Sequence, residues 1–84
     1  HKSVRERLAL GLLILKEKFQ DKKDKNTPVE IILSRKDLSN IVGTAVETLV
    51  RLLHDFKEDG LIETEGRIIR ILDINRLVKT ANFY

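Results

Sequence analysis

Residues 34–51 read Ser34-Arg35-Lys36-Asp37-Leu38-Ser39-Asn40-Ile41-Val42-Gly43-Thr44-Ala45-Val46-Glu47-Thr48-Leu49-Val50-Arg51. Ser34 is a natural helix N-cap with Asp37 at its N3 position, and Leu38, Ile41 and Val42 follow at the spacing of one inward helix face. Gly43 stands where the chain must turn sharply, and a positive φ is easiest for glycine. A second helix is expected from about Ala45 to Glu58, with Leu49, Leu52, Leu53 and Phe56 turned inward. Two short helices joined by three or four residues around a glycine predict a helix-turn-helix over residues 34–58.

Working outward, Gly60 ends the second helix, and residues 61–72 predict a β-hairpin wing turning at Glu65-Gly66. Asp73 caps a last helix, residues 73–81, that docks through Leu77 and Val78. On the other side, Val29 to Leu33 is a β-branched run after a proline, hence a brief strand. Asp21 to Pro28 is a charged connector without periodicity.

Residues 1–20 predict a leading helix. Ser3 and Glu6 suit a capping box, and Val4, Leu8, Leu12, Leu15 and Phe19 form its core stripe. Leu10, Leu13 and Ile14 widen that stripe, which in so small a domain implies contact with something outside this segment as well as with its own core. The fold class expected is mainly α with a small β-hairpin, a winged helix-turn-helix in one domain spanning residues 1–84. Such a device implies sequence-specific binding to double-stranded DNA.

The bulk composition agrees. The 84 residues carry 16 Lys+Arg against 13 Asp+Glu, a net charge of +3, which is compatible with a polyanionic partner. No cysteine is present, which excludes a disulfide framework, a zinc finger and a cysteine-ligated iron–sulfur cluster in this segment. The apolar run Leu8–Leu15 is too short to span a bilayer, and no signal-peptide cleavage site follows it. A cytoplasmic location without membrane contact is expected. The chain opens at His1 without an initiator methionine and is read as a fragment of a longer protein.

The sequence resembles the C-terminal DNA-binding domain of the Crp–Fnr family of bacterial transcription regulators. The likeness is carried by Val4-Arg5-Glu6-Arg7-Leu8-Ala9, by Ser34-Arg35-Lys36-Asp37-Leu38 and above all by Val46-Glu47-Thr48-Leu49-Val50-Arg51-Leu52-Leu53. Gly60-Leu61-Ile62 and Arg67-Ile68-Ile69-Arg70-Ile71-Leu72-Asp73 extend it over almost the whole chain. The resemblance implies an N-terminal sensor domain, absent from these residues, and a homodimeric parent. It implies no cofactor in this segment, a cyclic nucleotide or other effector on the parent's sensor, and double-stranded DNA and RNA polymerase as partners.

On the second helix, Val46, Glu47, Val50, Arg51 and His54 lie opposite the core stripe and would face the major groove. Arginine can donate two bonds to guanine, and glutamate can accept from cytosine. Spacing alone leaves a second reading open, in which Glu47 pairs with Arg51 or completes a capping box with Thr44. The resemblance assigns base reading to Glu47 and Arg51, and a phosphate bond to Thr48. Val46 and Val50 depart from the family pattern, and valine can meet only a thymine methyl. Ala45 replaces a usual hydroxyl residue, so the cap is expected to shift to Thr44. The candidate backbone contacts are Ser34, Arg35 and Lys36 at a helix N-terminus, with Thr44, Thr48, His54 and Arg67.

No catalytic constellation accompanies these residues. His1 and His54 are far apart, the carboxylates are scattered, and no glycine loop cradles phosphate, so an enzyme is not expected. The alternative function is a winged-helix protein–protein module, but its docking face would favour aromatics over Glu47, Thr48 and Arg51. RNA binding would need a stacking platform that the sequence lacks.

Overall fold

In a computed structural model, which describes residues 1–20 and 26–82, four helices accompany a three-stranded antiparallel sheet. The helices are α1 (Val4–Phe19), α2 (Arg35–Val42), α3 (Val46–Glu58) and α4 (Ile74–Ala81). The strands are β1 (Ile31–Ile32), β2 (Ile62–Glu65) and β3 (Ile68–Ile71), ordered β1-β3-β2. Residues 21–25 of the expected connector lie outside the described residues.

Local chemistry sets most helix starts. Ser3 and Glu6 form a reciprocal capping box on α1, Ser34 accepts from the Asp37 N–H on α2, and Asp73 accepts from the Arg76 N–H on α4. α3 differs. Its N-cap is Ala45, with no side-chain cap, so Thr44 does not take the capping role. The Thr44 N–H bonds Ser39 O at 3.0 Å instead, closing α2 together with Gly43, whose φ of 79° is left-handed.

The core gathers Leu8, Leu12 and Leu15 of α1, Leu38 and Val42 of α2, Leu49, Leu53 and Phe56 of α3, and Leu77 of α4 over Ile31, Ile62 and Ile69 of the sheet. Not every expected core position is buried, and Val4 and Val78 are half-buried. Ile41 is 55% exposed, because Leu38, Val42 and the buried Ser39 form the inward arc of α2 and Ile41 falls outside it. The Ser39 hydroxyl is satisfied by donating to Lys36 O at 2.7 Å, which makes a polar residue acceptable there. Phe19 is 39% exposed at the end of α1, where Glu17 and Lys18 are exposed too. Leu52 is only half-buried.

The wing is broader than a hairpin. β1 pairs with β3 through Ile31↔Ile69 and Ile32↔Ile68, while β2 pairs with β3 from Ile62↔Ile71 to Glu65↔Ile68. The loop between β2 and β3 is Gly66-Arg67, one position later than expected, with Gly66 at φ 58°. A glycine of positive φ at the first loop position suits a two-residue hairpin turn.

α1 packs most extensively on α4, and polar contacts fix their ends. The Lys2 ammonium donates to Ala81 O and Asn82 O, each at 2.8 Å, and Asn82 Nδ2 donates to Glu6 Oε2 at 2.9 Å. Bonds from the Ser3 backbone and then from Asn82 hold the Glu6 carboxyl below its ordinary pKa. A depressed carboxylate contributes stability above its unfolded pKa and loses it as pH falls through the folded value. Glu6→Gln should therefore lower the melting temperature near neutrality, with the difference from the parent closing once pH drops below the ordinary carboxylate range. Melts across a pH series check this; a gap independent of pH would contradict it.

Candidate nucleic-acid interface

The helical period divides α3 into two sides. Leu49, Leu53 and Phe56 are buried, while Glu47, Val50, Arg51 and His54 are exposed at spacings of three and four. Val50 is 49% exposed, an apolar side chain presented to solvent among polar neighbours. Val46 and Thr48 flank this face, each half-buried. The face therefore brings together Glu47, Val50, Arg51 and His54 over two turns.

No ion pair joins Glu47 to Arg51 among the described residues, so the helix-stabilising pair that the spacing allows is not formed. His54 Nε2 instead lies 3.6 Å from Glu58 Oε1, both well exposed. The guanidinium of Arg51 has no hydrogen-bond partner among the described residues.

At the start of α2, the Ser34 hydroxyl is engaged in its own cap. Lys36 is exposed. Arg35 reaches across to the wing, where Nη2 donates to Gly66 O at 2.9 Å, and its Nη1 is buried with no hydrogen-bond partner. Arg67 is exposed in that same turn, and Thr44 is half-buried before α3. Arg35, Val50, Leu53, His54, Lys57 and Thr64 line an open cavity of about 180 Å³ between the helix pair and the wing. Lys57 and Thr64 were missed by the sequence reading. Lys57, three residues after His54, lies on the outward arc of α3 and could have been found from that spacing. Thr64 follows only from the pairing register, which turns it and Ile69 toward α3.

The opposite face of the sheet is acidic. Arg70 meets Glu30 at 2.6 Å, Glu65 at 3.0 Å and Glu63 at 3.1 Å, one guanidinium against three carboxylates. Its bonds to the Glu30 and then the Glu65 carboxylate push the Arg70 pKa further up. Alternation along β2 places Glu63 and Glu65 on the side away from Thr64, so this acidic patch points away from the α3 cavity. A polyanion is thereby disfavoured behind the sheet.

The sequence profile of the Crp-like helix-turn-helix domain matches residues 6–80. The transcriptional activator protein FnrA of Stutzerimonas stutzeri is 36% identical over 72 residues, covering 86% of this chain and 30% of that protein. The electron transport regulator A of Shewanella oneidensis is 36% identical over 76 residues, covering 90% of this chain and 30% of that protein. The chain thus spans about a third of the length of the curated relatives it matches. Among solved structures, a transcriptional regulator of the Crp/Fnr family from Eubacterium rectale superposes with a TM-score of 0.80 at 28% identity, covering 95% of this chain and 34% of that one. A regulator of the same family from Thermus thermophilus shares the fold, with a TM-score of 0.83 at 23% identity over 95% of this chain and 41% of that one.

Proposed function

Because the chain belongs to the Crp-like helix-turn-helix family of DNA-binding domains from transcription regulators, we propose that α3 is its reading helix and enters the major groove of double-stranded DNA. The observation that carries this reading is the exposed face of α3, where Arg51 and Glu47 stand one turn apart with no ion pair between them. Arg51 donates to guanine O6 and N7, Glu47 accepts from cytosine N4, and Val46 and Val50 meet thymine methyl groups.

Backbone phosphates are met by Ser34, Lys36, Thr44, Thr48 and Arg67, which position the domain without reading sequence. Arg35 and His54 take a phosphate at the mouth of the α3 cavity. The buried, unpartnered Arg35 Nη1 supports this, since an unsatisfied charged donor costs free energy that an acceptor restores. The parent protein is a homodimer that works with RNA polymerase in the cytoplasm, its sensor domain answering a cyclic nucleotide or another effector.

Titrating the chain against a duplex selected from a randomised library, beside random duplexes at the same salt, tests the central claim. Preference for the selected duplex supports it, and equal binding to both contradicts it. Glu47→Gln separates reading from support. It should keep the melting temperature and relax discrimination at one cytosine, within the roughly 1–3 kcal/mol of a good base contact. A lowered melting temperature with unchanged base preference would assign Glu47 to the helix alone.

A further inference from the structure

α2 ends Ser39-Asn40-Ile41-Val42 and carries no basic residue in its last turn, so its own sequence does nothing to satisfy its terminal carbonyls electrostatically. The missing cation comes from another helix. Arg7 of α1 donates from Nε to Val42 O at 2.9 Å and from Nη2 to Gly43 O at 3.2 Å, while its Nη1 donates to Lys2 O at 3.0 Å. One rigid guanidinium thus ties the start of α1 to the turn of the helix-turn-helix, more than thirty residues away along the chain. It forms no salt bridge among the described residues, so its acceptors are these carbonyls. Gly11, one turn further along α1, is buried where a Cβ would first meet Val42, at 3.7 Å.

The next helix enters through the buried Leu49, whose N–H bonds Ala45 O at 3.0 Å, and without a polar cap. Ala45 offers α3 no side-chain cap, and the turn between Val42 and Val46 is otherwise held by the Gly43 and Thr44 N–H groups on Ser39 O. We infer that Arg7 is a positioning residue for the reading helix: it transmits the placement of α1 to the Val42–Ala45 turn and so sets the direction in which α3 presents Glu47 and Arg51. This rests on the assignment of α3 as the reading helix. A guanidinium suits the task better than an ammonium, because its planar fork grips two neighbouring carbonyls in fixed geometry. Loss of the clamp should cost specificity more than stability, since α1 stays anchored through Leu8, Ala9 and Leu12 in the core.

The test uses Arg7→Met, which keeps the aliphatic stem, and Arg7→Lys, which keeps the charge. Each is read by circular dichroism, by melting, by amide NMR shifts of residues 43–47, and by titration on the library-selected and random duplexes. We expect a cooperative fold, shifted amides in the turn, and roughly tenfold lower preference for the selected duplex with Arg7→Met, the scale at which residues coupling two sites act. Arg7→Lys should recover only part of it. If Arg7→Met does not fold, Arg7→Lys decides by the same readings. Unchanged preference in a folded variant, or equal loss on both duplexes, overturns the inference. Arg51→Ala is measured alongside. If it abolishes preference while the Arg7 variants do not, the clamp fails and the reading helix stands; if it also changes nothing, both fall.

Discussion

Arg51→Ala is expected to leave the chain folded and to remove most of its preference among duplexes, weakening binding to a selected site by about 1–3 kcal/mol. The side chain is exposed on α3 and takes no described hydrogen bond or ion pair, so nothing in the fold loses a partner when it is truncated. Affinity for random duplexes should drop only by the share of one charge. Lys36→Ala, at the exposed start of α2, should behave in the opposite way. It should weaken all duplexes alike and reduce the salt slope by about one unit, the signature of a single phosphate contact. Binding isotherms at three salt concentrations, on selected and random duplexes, separate the two patterns. An unchanged ratio of selected to random binding in Arg51→Ala would move the reading face elsewhere.

The largest effect on stability should come from Phe56→Ala. Phe56 is completely buried and is the largest such side chain in the core, and the guanidinium of Arg5 lies 4.8 Å from its ring centroid. Arg5 also pairs with Asp59 at 3.2 Å, so the ring lies beneath a link between α1 and the end of α3. Truncation removes the ring's burial and leaves a cavity, a loss of about 3–5 kcal/mol. A domain of this size has a total of roughly 4–12 kcal/mol, so the variant should melt at least about 15 °C lower or fail to fold at 37 °C. Calorimetry or thermal circular dichroism decides the matter. A shift of only a few degrees would show that the core does not centre on Phe56.

What was legible in the sequence was local. Ser3 with Glu6, Ser34 and Asp73 announce their helices because a cap and the N–H groups it satisfies lie within three residues. Gly43 announces the turn because its left-handed conformation is a property of one residue. The outward face of α3 follows from the same period that buries Leu49, Leu53 and Phe56. Ile41 misleads because a short helix has room for one narrow arc, and a serine bonded to the Lys36 carbonyl takes a place that periodicity reserves for an apolar residue. The pairing of β1 with β3, the reach of Arg35 to Gly66 and the reach of Arg7 to Val42 each join residues more than thirty apart. Hydrophobic pattern carries no trace of such bonds, which exist only once the core has brought their ends together.

The tethering of the wing has a thermodynamic consequence for association. Its tip is held from two directions, by the Arg35 guanidinium on Gly66 O and by the Leu33 N–H on Arg67 O at 3.3 Å, just before α2 begins. A free hairpin would sample many positions in solution and surrender that freedom on meeting a duplex, and each rotamer-rich side chain immobilised on binding costs about 0.5–1.5 kcal/mol. Here the ordering was completed during folding. The wing backbone is therefore already placed against the helix pair before any partner arrives, and the ordering left for binding falls on exposed side chains such as Lys36, Arg51 and Arg67.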